Sequence, residues 1–408
     1  MDIQITPRPL SGSVTPPPSK SLSHRLLLAA ALSAGSCTLT RMALSRDIEA
    51  TLRCIEALGT RWEQPSPDTL VVHGIGGTHP VFSQLPRFDC GESGSTLRFL
   101  IPIALAVAGG GVFTGQGRLM ERPQQPYFDL FRQKGISFSQ ENGVLTVQGR
   151  LTPGDYALPG NVSSQFFTGL LYALPLLAGP STLRSTTVLE SIDYISMSLR
   201  VLREASVNVR PLPEGDGFSV SPSAFRMESQ EVEADWSQAG FWYAARQLGN
   251  NVAIHGMDAF STQGDKAVAD LCLQLAEPGE VELDLADFPD LVPPLAVMAA
   301  LRPGTARFTG IGRLRLKESD RIRTTAAAIN ALGGQVEEGP DFLVIHGVAA
   351  LTGGTVDGAN DHRIVMAAAI AATRCAGPVT ILGAEAVQKS YPRFFEEYQR
   401  LGGVLREL

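Results

Sequence analysis

Charge is scarce in this chain: 18% of its 408 residues are Asp, Glu, Lys or Arg, and the formal balance is −7. A nucleic-acid binder needs a basic surface to neutralise phosphates, so the balance argues against that class. It leaves room for a small anionic ligand, because a local basic cluster can dominate inside a cleft. Cysteine is scarcer still. Cys37, Cys54, Cys90, Cys272 and Cys375 are odd in number, scattered and without a CxxC pair. That argues against a disulfide scaffold and fits reduced structural thiols in a cytoplasmic protein. The six histidines form no HxxxH or HExxH arrangement, so no metal site is expected. The most apolar run, 99–108, is too short to span a bilayer and contains Pro102. MDIQITPRPL lacks an apolar h-region, so no signal peptide is expected. A Walker-type nucleotide loop is missing as well, since Ser19-Lys20-Ser21 follows three prolines rather than glycines.

What is present is repetition. Hydrophobic residues make up 44% of the chain, enough for two compact domains of about 200 residues. Residues 19–35, SKSLSHRLLLAAALSAG, open on Ser, Lys and Arg, run apolar on nearly every face, and stop at glycine. A helix apolar all round belongs in a core, and its first turn, short of partners for its N–H groups, carries partial positive charge. Five further stretches have this shape: 91–109, 161–179, 235–249, 287–304 and 359–377. A second series alternates with it, a helix-like segment with a Gly stop and then a strand, as at 55–59 to 70–74, 130–135 to 144–149 and 329–334 to 342–347. Six units of about 68 residues are therefore expected, three on each side of a polar joint at 227–233. The run 15–18 reads as a stiff PPII-like connector at a hinge or domain crossing. A helix is expected over 47–58, followed by two strands broken by Gly74, Gly76 and Gly77.

Candidate functional residues collect at the starts of these units. Ser21 and Arg25 are i and i+4 on one helix face, with Lys20 beside them. The Gly/Ser/Thr-rich turn 91–98, with Gly94, allows an anion to approach the backbone closely. Arg122 follows in MERP. Ser163, Ser164 and Gln165 offer two hydroxyls and an amide where a cap needs only one, and Ser191 and Tyr194 share a side in SIDY. Asp290 stands before a very apolar helix, either as an N-cap or as a base near a substrate hydroxyl. The charge run at 306–326 reads as a solvated face, or as a site with Lys317 and Glu318 in a loop and Arg321 in the first turn of a helix starting at Ser319-Asp320. Arg363 in DHR and Lys389 in QKSYPRFF complete the set. Seven cations at equivalent helix starts, if they converge, are costly unless a ligand with several negative charges fills the site. That predicts substrates carrying phosphates and carboxylates.

The motifs PSKSLSHR, DCGESGSTLRF, GNVSSQF, LKESDRI, NDHRIVMAAAI and QKSYPRFF together resemble the EPSP synthases, the 3-phosphoshikimate 1-carboxyvinyltransferases of the enolpyruvyl transferase family. The resemblance runs from Ser11 to the C-terminus. It implies an α/β (α+β) fold of two inside-out α/β barrel domains, each of three βαβαββ repeats, with a cleft between them. It further implies a discontinuous lower domain, 1–18 plus 232–408, and an upper domain, 19–231. Carried over by position, shikimate 3-phosphate is expected to meet Lys20, Ser21, Arg25, Ser163, Ser164, Gln165, Ser191, Tyr194, Asp290 and Lys317. Phosphoenolpyruvate is expected to meet Lys20, Gly94, Arg122, Gln165, Arg321, Arg363 and Lys389. Glu92 and Arg313 stand where asparagine is common in the family. Gly94 matches the glyphosate-sensitive pattern. The implied chemistry is addition–elimination, with Asp290 and Lys317 taking the proton of the attacking hydroxyl and Lys20 or Glu318 serving the methylene carbon. No cofactor is implied, and the expected protein is a cytoplasmic monomer. UDP-N-acetylglucosamine enolpyruvyl transferases fit less well, because their reactive cysteine is absent from 110–122. A non-catalytic binder of phosphorylated sugars would need the cations but neither Asp290 nor Glu318.

Overall fold

The structure is a computed structural model that describes residues 1–76 and 80–408; Gly77 lies outside the described residues. Twelve α-helices are found among them. Six come from the first part of the chain: α1 (Lys20–Leu32), α2 (Arg46–Ala57), α3 (Gly94–Val107), α4 (Gln125–Lys134), α5 (Ser164–Ala173) and α6 (Ile192–Glu204). The second part supplies α7 (Trp236–Gln247), α8 (Val268–Ala276), α9 (Val292–Ala299), α10 (Arg321–Ala331), α11 (His362–Ala372) and α12 (Phe394–Arg400). The chain divides into two compact units, Met1–Pro17 with Ala234–Leu408, and Pro18–Glu233. Each has its own continuous apolar core.

The odd-numbered helices from α1 to α11 are the six apolar stretches, and their burial follows from their composition. In α1 every residue from Leu22 to Leu32 is buried, and in α11 every residue is. In one unit α7, α9 and α11 pack on one another, and in the other α3 packs against α5 and α1. Side-chain caps start five of the six. Ser19, Ser93 and Ser163 accept from Leu22, Thr96 and Gln165 N–H, and Asp235 and Asp361 accept from Gln238 and Arg363 N–H. Each such cap is worth about 1 kcal/mol. The exception is α9, whose cap residue Leu291 offers no side-chain acceptor. Pro293 and Pro294 in its first turn have no N–H to satisfy. Asp290 is therefore not a cap.

Six sheets accompany these helices among the described residues, and five have the same four-stranded order. The sheet around α3 is representative. Arg87–Asp89 leads into α3 and pairs in parallel with Gly110–Thr114, and the hairpin Ser137–Glu141 and Val144–Gln148 adds antiparallel strands after α4. That is the βαβαββ unit. The unit containing α7 departs from it: only Ser11–Val14 and Asn251–Ile254 pair, and no hairpin follows α8. Two sheets are closed by strands from a distant part of the chain. Ile3–Thr6 sits between Val379–Leu382 and Val404–Glu407. Gln230–Glu231 pairs in parallel with Leu39 and Thr40, so the stretch expected as a polar joint contributes a short strand instead. Its side chains carry no apolar signal because the backbone ladder, not burial, holds it in place.

Candidate active site

In the unit Pro18–Glu233 the charged and hydroxylic helix starts are tied together by buried bonds. Lys20, the first residue of α1, pairs with Asp47 of α2 at 2.8 Å. Arg25, one turn further, is fully buried. Its guanidinium donates to the Ser198 hydroxyl (2.8 Å), the Tyr194 carbonyl (2.9 Å) and the Ser21 carbonyl (2.7 Å), and faces the Phe99 and Tyr194 rings. Burial brings it down to about 10. Arg25 thus fixes the Ser191–Tyr194 segment of α6 against α1, while Ser191 sits buried at the helix start with a left-handed φ of 53°. Gln165 links α5 to α3: its amide donates to Ser95 (3.0 Å) and its carbonyl accepts from Arg98 (2.9 Å). Ser163 caps α5 and Ser164 opens it. A chain of buried hydroxyls, Ser93, Thr96 and Thr51, with steps of 2.7 Å, ends on His24 and joins the starts of α1, α2 and α3. Burial, with Lys20 and Arg25 nearby, holds His24 well below its ordinary range, so it is neutral.

Gly94 has a steric reason. A Cβ there would lie 2.6 Å from Nη1 of Arg122, so the missing side chain lets the guanidinium rest against the start of α3. Arg98 also donates to the Pro123 carbonyl (3.1 Å), steadying the loop that carries Arg122. Glu92 lies against Gly117, and Arg313 in the other unit donates to the Ala286 carbonyl.

The second cluster lies wholly in the unit Met1–Pro17 with Ala234–Leu408. The charge run resolves into two kinds of residue. Arg315 is a partly exposed partner of Asp320 and Glu338, and Arg307 lies over the Phe342 ring at 4.1 Å. Arg321, at the first position of α10, is 1% exposed and meets three carboxylates: Asp361 (3.0 Å), Asp290 (2.9 Å) and Glu318 (2.6 Å). Arg363 meets the other oxygen of Asp290 (2.8 Å). Burial alone would raise the Asp290 carboxyl, but Arg363, Lys317 and Arg321 hold it well below the usual carboxylate range. Burial pushes Lys317 down to about 8, with Asp290 opposing and Arg321 and Arg313 assisting. Burial and the neighbouring Asp290 charge raise Asp265, hydrogen-bonded to Ser237 of α7, to about 7. Lys389 is buried and donates to the Asn360 carbonyl (2.6 Å), in the turn that precedes α11. Asn360 and Ala359 both have positive φ, near 50°.

Asp290, Lys317, Glu318, Arg321 and Arg363 are therefore brought together in one unit, with Lys389 at the adjoining helix start. Lys20, Ser21, Arg25, Ser163, Ser164, Gln165, Ser191, Tyr194, Gly94 and Arg122 all lie in the other, at or within about a turn of the starts of α1, α3, α5 and α6 or, for Arg122, in a loop against the start of α3. Sequence reading did not single out Asp47, Arg98 or Asp265. Arg98 had a usable signal, a lone cation inside an otherwise apolar helix; Asp47 and Asp265 resemble ordinary helix-start acids. Among the described residues no group of three or more His, Cys, Asp or Glu could hold a metal ion, and no helix is long and apolar enough to cross a membrane.

Solved structures with this architecture include the EPSP synthase of Acinetobacter baumannii, with a TM-score of 0.80, 24% identity and full coverage of both chains. The enolpyruvyl transferase NikO of Streptomyces tendae gives a TM-score of 0.80 at 16% identity, over 99% of this chain and 98% of that one. The fold is the two-domain enolpyruvyl transferase fold. Within that class, residues 5–398 match the model of EPSP synthase (3-phosphoshikimate 1-carboxyvinyltransferase). The 3-phosphoshikimate 1-carboxyvinyltransferases of Clostridium kluyveri and Clostridium acetobutylicum are 38% and 39% identical, each match covering 99% of this chain and 98% of the relative. The chain belongs to the EPSP synthase family.

Proposed function

We propose that this protein transfers the enolpyruvyl group of phosphoenolpyruvate to the 5-hydroxyl of shikimate 3-phosphate, giving 5-enolpyruvylshikimate 3-phosphate and phosphate. Family membership along essentially the whole chain is the observation that carries this reading. The helix starts supply fitting chemistry. Lys20, Ser21, Arg25, Ser163, Ser164, Gln165, Ser191 and Tyr194 are assigned to shikimate 3-phosphate, with Asp290 and Lys317 at its reacting hydroxyl. Lys20, Gly94, Arg122, Gln165, Arg321, Arg363 and Lys389 are assigned to phosphoenolpyruvate. Arginines suit this task because a guanidinium can hold a carboxylate or phosphate through two parallel bonds.

In the addition step the 5-oxygen bonds to C2 of phosphoenolpyruvate, its proton passes to Asp290 assisted by Lys317, and the methylene carbon gains a proton from Lys20 or Glu318. In the elimination step the C2–O bond to phosphate breaks and the methyl carbon returns a proton, restoring the double bond. An amine near 8, as at Lys317, exchanges protons readily at neutral pH. The five buried free thiols support work in a reducing compartment, the cytoplasm, and we assign the protein there as a monomer.

Mixing the protein with both substrates is expected to release phosphate, and either substrate alone to release none. No release from the mixture refutes the assignment. Gly94→Ala tests the donor side: the added methyl must push Arg122 aside, so KM for phosphoenolpyruvate should rise about tenfold. Shikimate 3-phosphate binding should hold, and inhibition by glyphosate, which we place in the donor site, should weaken in parallel. An unchanged donor KM removes Arg122 from that role.

A further inference from the structure

Both buried arginines of the α10–α11 cluster already have carboxylates against them, but those carboxylates are not held alike. Asp361 is committed: besides Arg321 it accepts the Arg363 backbone N–H (3.0 Å) and the Ser319 hydroxyl (3.0 Å), and it is fully buried. Removing it would uncap α11. Glu318 is three residues from Arg321 and pairs with its guanidinium from the same stretch of chain. Asp290 is not the cap residue of α9. It bridges, giving one carboxylate oxygen to Arg321 (2.9 Å) and the other to Arg363 (2.8 Å), with its side chain still 17% exposed. This is the geometry in which two guanidinium groups hold a small carboxylate or phosphate.

We infer that Asp290 is a built-in stand-in for the substrate anion: it occupies the Arg321–Arg363 clamp, and an incoming carboxylate or phosphate competes for the clamp and displaces it. The inference rests on the assignment of those arginines to the donor. It couples binding to chemistry. While bridged, the carboxylate is stabilised in its charged form and is a poor proton acceptor. Once displaced, it loses two charge-assisted bonds beside Lys317, Glu318 and Asp265, so its affinity for a proton rises. Donor binding thereby arms the base, and a carboxylate that would otherwise repel the donor becomes the group it replaces.

The test is Asp290→Asn, which keeps the shape and removes the competing charge. Inorganic phosphate, and phosphoenolpyruvate without shikimate 3-phosphate, should bind the variant about tenfold or more tightly than wild type by calorimetry. Equal or weaker binding overturns the inference. Adding Arg363→Gln should abolish the gain, and a gain that persists in the double variant also overturns it. If Asp290→Asn loses stability because two buried cations lose a partner, phosphate should raise its thermal midpoint more than that of wild type at matched ionic strength. An equal or smaller rise counts against the inference. Turnover is read separately: wild-type turnover in Asp290→Asn would remove the base assignment and leave the clamp result standing.

Discussion

Asp290→Ala is expected to lower turnover by about 10²–10⁴-fold without weakening the binding of either substrate. The expectation comes from what Asp290 is not used for. It does not cap α9, which starts on Leu291 and two prolines, so a carboxylate next to a helix start has been given to the Arg321–Arg363 cluster instead. Removing it leaves two buried arginines short of a partner and so costs stability, but in the proposed reaction the larger loss falls on rate. Steady-state kinetics with both substrates, alongside circular dichroism of the variant, separates the two effects. Turnover within tenfold of wild type in a folded variant would show that another group takes the proton.

Arg321→Leu is expected to destabilise the unit carrying α7 to α12 by about 3–5 kcal/mol, because Asp290, Glu318 and Asp361 would be left facing one another with their shared cation gone. A loss of that size lowers a thermal midpoint by roughly 10 °C for a unit of this length. Arg315→Leu is the control. Arg315 also pairs with two carboxylates, but those partners are 31% and 38% exposed and Arg315 itself 30%. Solvent screens such pairs, and the cost should stay under about 1 kcal/mol. Calorimetric scans of the two variants decide it: similar midpoints would mean that Arg321 is not the keystone of the cluster.

The contrast between these arginines also marks how far the sequence could be read. Six all-apolar stretches ending in glycine specify buried helices almost without context, since no other placement hides every face. Ser19, Ser93, Ser163, Asp235 and Asp361 announce caps by position alone. Which cations lie buried is different information. Arg315 and Arg321 sit six residues apart in one charge run, and only tertiary contacts with Asp290 and Asp361 make the second a core residue. The pairing of Lys20 with Asp47 spans two helices in the same way. Strand Gln230–Glu231 was illegible because two polar residues completing a ladder leave no periodicity. The lost hairpin after α8 escaped notice because the helix series continues undisturbed through it.

The sheet that joins Ile3–Thr6 to Val404–Glu407 has a consequence for synthesis. The segment 18–233 contains every strand and helix of its own unit, so it can close as soon as Glu233 clears the ribosome. Ile3–Thr6, translated before any of it, must wait for partners that emerge roughly 400 residues later, about 20–80 s at ordinary elongation rates. During that interval the nascent chain carries an unpaired strand, and its sheet is complete only once Val404–Glu407 has been made.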